Sequence, residues 1–166
     1  MTAPATRPSP VLRYALPAGW QPLPVPRDAA QAAAAAAAIA AGYPELNLGP
    51  VGLARLLASL AAASAALPVL DAYVTVADTA AGPQPVTLTV AAVLSVTGTA
   101  AAPERDPGPG GAVQYQVEIA GGRAVCLLMF AALGGAPASE LRPLFDRIAA
   151  SVRCDPPDAT DVGAAR

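Results

Sequence analysis

Hydrophobic positions recur along this chain with two different periods, and the switch between them marks out its elements. From residue 28 to residue 67 the apolar positions suit helices, whereas from Pro68 onward they alternate with polar ones at strand spacing. "VLRYALP" predicts a short opening strand ended by Pro17, and "PAGW" a turn in which Gly19 takes unusual backbone angles before Trp20. "PLPVP" continues extended. Asp28 is the expected N-cap of a helix over "AAQAAAAAAAIAAG", a run of maximal helix propensity that Gly42 stops. After the loop "YPELNLGP", Pro50 suits the first turn of a second helix. On that helix Leu53, Leu56, Leu57, Leu60, Ser64 and Leu67 form one stripe.

The strand-forming half begins with Leu70, Ala72, Val74 and Val76 on one side and Asp71, Tyr73, Thr75 and Ala77 on the other, which predicts a half-exposed strand. "PVTLTVAAVLSV" repeats the alternation, with Val86, Leu88 and Val90 expected inward and Thr87 and Thr89 outward; "DTAAGPQ" is the loop between the two strands. Residues 97–111, "TGTAAAPERDPGPGG", predict a long mobile loop. In "VQYQVEIAGGRAVCLLMF" the pair Gly121 and Gly122 predicts a tight turn between two strands. The first strand puts Val113, Tyr115, Val117 and Ile119 on the core side, and the apolar "AVCLLMF" predicts a central strand covered on both faces. The last helix carries Leu141, Leu144, Phe145, Ile148 and Val152 on its stripe, with Ser139 as its cap and Pro143 near its first turn.

These elements predict an α+β fold: a central antiparallel sheet of about five strands, flanked by the Ala/Leu-rich helical pair and the C-terminal helix. Its 166 residues suit a single domain over residues 11–154, with disordered tails at 1–10 and 155–166 where Pro, Ala and Asp recur without periodicity.

Composition narrows the chemistry. All ten basic residues are Arg and the net charge is -2, so no basic stripe exists to neutralise phosphates, and nucleic acid is not an expected partner. Histidine is absent, which removes Ser-His and Cys-His nucleophile systems and the commonest metal ligand. Lysine is absent too, which removes Schiff-base chemistry and the phosphate-binding Walker A loop. Carboxylates are the remaining acid/base option, and Asp71, Asp78, Glu118 and Asp146 fall on different elements as solvated surface charges. The spacing in "DPPDATD" is not that of a calcium loop. No cofactor or metal site is expected, and the chain does not read as an enzyme.

Cys126 and Cys154 stand apart with no C-x-x-C spacing, Cys126 reading as a small core hydrophobe. The N-terminal "MTAPATRPSP" has no apolar signal region, so a cytoplasmic location with reduced thiols is expected. Residues 51–70 approach the length of a membrane span, but they are mostly Ala, Gly and Ser with Arg55 and Pro68 near the ends, so no span is expected. Trp20, with Tyr14 across the turn, reads as a core anchor under the sheet. Tyr73 and Tyr115 are expected on opposite faces, which gives no aromatic cage.

The order strand, two helices, antiparallel strands and C-terminal helix, together with "LPAGW", "VQYQVEIAGGRAVCLLMFAA" and "LRPLFDRIAASVR", resembles small uncharacterised actinobacterial proteins and, more distantly, the Mog1/PsbP-like fold. The matching pieces make up about a third of the chain and contain no catalytic motif. The resemblance implies a central antiparallel sheet flanked by helices, and proteins as the principal partners. The Ala-rich helical pair and the Pro/Gly loop depart from that group, so no binding residue carries over.

The expected function is therefore a non-catalytic protein-interaction module, adaptor-like or chaperone-like. The alternatives are a small-molecule or lipid binder with a pocket near Trp20 and a carboxylate-dependent enzyme. A docking face is expected on the second helix. Residues 28–67 hold only Asp28, Glu45 and Arg55 as charges, too few to solvate two exposed helices. With the leucine stripe against the sheet, Ala54, Arg55, Ala58, Ala61, Ala62 and Ala65 would face a homodimer mate or a partner helix. Alanine costs little when exposed, so neutral filling of surface positions explains the same pattern.

Overall fold

The computed structural model describes residues 11–46, 48–94, 105–108, 112–119, 124–133 and 138–155. The α+β class is what the chain adopts. An antiparallel sheet has the order β2-β3-β4-β7-β6-β5, where β2 is Gln21–Leu23, β3 Val69–Thr79, β4 Gly82–Leu94, β5 Arg105–Gly108, β6 Ala112–Ile119 and β7 Ala124–Ala132. A separate ribbon pairs β1 (Val11–Arg13) with β8 (Arg153–Asp155). Three helices complete the fold: α1 (Ala29–Gly42), α2 (Gly49–Ala66) and α3 (Ala138–Ser151).

The expected sheet of about five strands has six, because Arg105–Gly108 pairs with β6 from within the Pro/Gly stretch expected to be loop. The rest of that stretch, the Gly121–Gly122 turn, residues 1–10 and residues 156–166 lie outside the described residues. The β3–β4 connection is also tighter than expected. Pairing continues through Asp78 with Pro83 to Thr79 with Gly82, which leaves Ala80 and Ala81 as a two-residue turn. Gly82, the first residue after the turn, takes φ 98, a left-handed backbone that glycine adopts without steric cost.

The caps follow the sequence in part. Asp28 is the N-cap of α1, its Oδ1 accepting from the Gln31 backbone N–H at 2.8 Å, while Gln31 Oε1 accepts from the Arg27 N–H at 3.1 Å. This reciprocal pair resembles a capping box displaced by one residue. Gly19 takes φ 95, and its carbonyl accepts from the Thr75 hydroxyl at 3.1 Å, which ties the turn before Trp20 to β3. Ser139, by contrast, lies inside α3 rather than capping it, because the helix already begins at Ala138. Pro143 consequently sits past the first turn, where it lacks the N–H that would bond to the Ser139 carbonyl.

Two cores lie on opposite faces of the sheet. Under α3, Leu141, Phe145 and Ile148 meet Val86, Leu88 and Val90 of β4 and Cys126, Leu128 and Phe130 of β7. Phe130 and Phe145 stack there with ring centroids 4.3 Å apart and planes at 14°. On the other face, Leu53, Leu57 and Leu60 of α2 and Ala32 and Ala36 of α1 cover Leu23 of β2 and Ala72 and Val74 of β3. α2 is long and apolar enough, by length and composition, to cross a membrane, at a mean hydropathy of 1.3. Three of its four leucines, Leu53, Leu57 and Leu60, are buried in this core, and Leu56 packs against it.

The strand register overturns several facing expectations. Thr87 and Thr89 are buried rather than outward, since they pair in register with Val74 and Ala72 and share the face under the helical pair. Thr75, expected on an exposed side, is buried as well. Leu70, expected inward, is 48% exposed, because the register shift between Val69 and Asp71 rotates the start of β3 out of the alternation. Tyr73 and Tyr115 share one face instead of opposing each other, both packing against the α3 core.

Candidate interaction surface

The apolar strand "AVCLLMF" is central, as its composition predicts, but it is fully covered on one face only. Cys126, Leu128 and Phe130 point under α3 and are buried, whereas Val125, Leu127 and Met129 on the opposite face are partly exposed. The reason is placement. The α1–α2 pair packs over β2 and β3 at one edge of the sheet, with Leu56 of α2 reaching Thr87 of β4, and the strands beyond extend past it.

Alternation along β6 puts Gln114, Gln116 and Glu118 on the same side as this row, opposite Met129, Leu127 and Val125. An apolar centre is thereby edged by polar side chains. Between the row and α2 runs a groove formed by two adjoining cavities that share Thr87 and Ala131. One, of about 420 Å³, lies against Gly52, Arg55, Leu56 and Ser59 of α2 and Leu133 beyond β7. The other, of about 310 Å³, lies over Thr89, Met129 and Gln114. Leu133 at its edge is 39% exposed.

The predicted docking residues divide. Arg55, Ala58, Ala62 and Ala65 are exposed, while Ala54 and Ala61 are partly buried and Ala54 packs against the helical-pair core. Arg55 joins the two surfaces, heading the alanine stripe and also lining the groove. The β7 row escaped the sequence reading because uniform apolarity suits a strand covered on both sides. The signal that could have found it is in the neighbouring strand: Gln114, Gln116 and Glu118 mark a solvent-facing side of β6 that β7 shares.

Of the candidate carboxylates, two are engaged by tyrosines. Tyr14 donates its hydroxyl proton to Asp71 Oδ2 at 2.6 Å and lies 3.0 Å from the Tyr73 hydroxyl, with the two rings edge to face. Burial, then the bond to Asp71, then Tyr73, raise the Tyr14 phenol well above its ordinary range, so it stays a donor. Tyr115 donates to Asp146 Oδ1 at 2.7 Å, and burial followed by that bond raises its phenol likewise. Asp78 and Glu118 are exposed. Among the described residues no three His, Cys, Asp or Glu side chains group as metal ligands.

Trp20 is half-buried against the α3 core, in the anchor position expected of it, and lines none of the cavities described here. The largest of them, about 490 Å³, lies instead at the α1–α2 junction against Ala40, Tyr43, Leu46, Pro50 and Leu53. Both cysteines are free, and burial pushes the Cys126 thiol from its ordinary 9.0 up to about 11, so it is a core side chain rather than a nucleophile.

Comparison with protein families, with characterised proteins and with solved structures finds no match to this chain.

Proposed function

We propose that this protein is a non-catalytic interaction module that docks partners on the face of the sheet opposite α3. The observation that carries the reading is the partly exposed row of Val125, Leu127 and Met129, continuous with the groove beside α2. Apolar surface rimmed by polar side chains is what an interface needs, since water released from the centre drives association and the rim fixes its direction. Asp71 and Asp146, held by tyrosine hydroxyls, are supports of the fold in this reading. The distant resemblance to a group whose members mostly bind proteins agrees with it.

The test compares Leu127→Glu with the double variant Ala58→Glu/Ala62→Glu in affinity capture from the native host. Loss of captured protein with Leu127→Glu alone supports the sheet face, and loss with the double variant alone moves the site to the outer side of α2. Unchanged capture by both variants refutes docking on either surface.

The cavity at the α1–α2 junction favours a second reading, a binder of small apolar molecules. Its volume lies within the roughly 300–1,000 Å³ of small-molecule sites, and its wall of Ala, Leu, Pro and Tyr carries no charged side chain. A copurifying small molecule, recovered by native mass spectrometry and lost in Ala40→Trp, would establish that reading in place of the first.

A further inference from the structure

The interaction surface is self-complementary, and we infer that its occupant is a second copy of this chain. The inference rests on the interaction-module reading and adds the identity of the partner. Among side chains described around the open face, the charges are Arg55 on the α2 side and Glu118 on the β6 side, both exposed. They stand at opposite ends of the apolar row. Arg55 lines the groove beside Ala131, near the end of β7, and Glu118 pairs with Val125 near its start. Opposite charges on a diagonal across an apolar centre form the pattern a two-fold axis satisfies. An axis in the plane of the interface, crossing midway between the two residues at right angles to the line joining them, brings each Arg55 against the partner's Glu118. The same rotation lays Leu127 and Met129 of one copy over those of the other, with Gln114 and Gln116 at the margin.

Size sets the expected affinity. Strands β6 and β7, about 4.8 Å apart and about 20 Å long, present a footprint of about 200 Å² per copy. With the flank of α2 the total buried by both copies stays below about 1,200 Å², the low end of specific interfaces, which corresponds to a weak, reversible dimer. Each charge pair sits at the rim, so it fixes orientation and responds to salt more than it adds affinity.

Sedimentation velocity from about 1 to 200 μM, at low and at high salt, reads the dimer directly. The wild type should show a monomer–dimer equilibrium in the micromolar range that weakens as salt rises. Arg55→Glu and Glu118→Arg should each weaken the dimer by about tenfold or more, because like charges then face each other. The double variant Arg55→Glu/Glu118→Arg should restore it, since the swap re-forms both pairs. Leu127→Glu should leave a monomer with an unchanged far-ultraviolet circular dichroism spectrum. A wild type that stays monomeric throughout overturns the inference, as does a double variant no better than the singles or a dimer that survives Leu127→Glu. Host-lysate capture separates the two levels. A monomeric wild type that still captures another protein through Leu127 removes the homodimer and leaves the interaction module standing, whereas a monomer with no Leu127-dependent capture removes both.

Discussion

The stacked rings of Phe130 and Phe145 clamp α3 to the middle of the sheet, and their replacement by leucine should be non-additive. Both side chains are essentially inaccessible to solvent. Their ring centroids lie 4.3 Å apart with planes at 14°, and Phe130 also meets Tyr115 edge to face at 5.7 Å and 89°. A leucine in place of either ring keeps most of the apolar volume, a change that costs up to about 1.5 kcal/mol. Loss of an aromatic pair adds about 0.5–1.5 kcal/mol. Phe145→Leu, which breaks one pair, should therefore cost about 0.5–3 kcal/mol. Phe130→Leu breaks two pairs and should cost more, by about another 0.5–1.5 kcal/mol. Against a total stability of about 5–15 kcal/mol both variants still fold, so the experiment can be read. Guanidinium denaturation followed by circular dichroism gives the free energies, and each kcal/mol should lower Tm by about 2–4 °C for a chain of this size. The double variant should fall short of the summed single costs by about 0.5–1.5 kcal/mol, the worth of the shared stack. Costs that add to within about 0.3 kcal/mol, or a Phe130→Leu milder than Phe145→Leu, would refute the reasoning.

Asp28→Ala removes the side-chain cap of α1 and should cost about 0.5–2 kcal/mol, read as a lower denaturation midpoint at an unchanged slope. Gly19→Ala forces an L side chain into a backbone at φ 95, with its Cβ 3.5 Å from Thr75 Oγ1, and should cost about 1–3 kcal/mol in the same assay. Cys126 gives a pH signature. Its thiol is pushed from 9.0 up to about 11 by burial, so the native state holds the proton more tightly than the unfolded chain. The stability this contributes is complete below the unfolded value and declines as pH rises from about 9 to about 11. Cys126→Ala should flatten that part of the curve, and wild-type Cys126 should react slowly with a thiol reagent at pH 8 until denaturant is added. Fast labelling of Cys126 in the native protein would contradict the burial that raises it.

The sequence by itself determined the elements and the class of fold. Alternation in "VTLTV" and "VQYQVEI", the leucine stripe of α2 and the stripe of α3 are local properties, because strand and helix periods fix which residues share a face. Asp28 and Gly19 were legible for the same reason, since a cap and a left-handed turn act over three or four residues. Which faces end up covered is not local. Thr87 and Thr89 look solvent-facing from their chemistry, yet they are buried because β4 pairs with β3 beneath α2. Tyr73 and Tyr115 came to one side because each strand's facing is set by register across β4 and β7, three ladders that no single strand encodes. The extra strand at Arg105–Gly108 formed because β6 offered an edge to pair with, overriding the turn chemistry of its prolines and glycines. The interaction surface belongs to the same category. Val125, Leu127 and Met129 are apolar in sequence for either a buried or a binding role, and the choice between those roles was made by where the helical pair sits, over β2 and β3 at one edge of the six-stranded sheet.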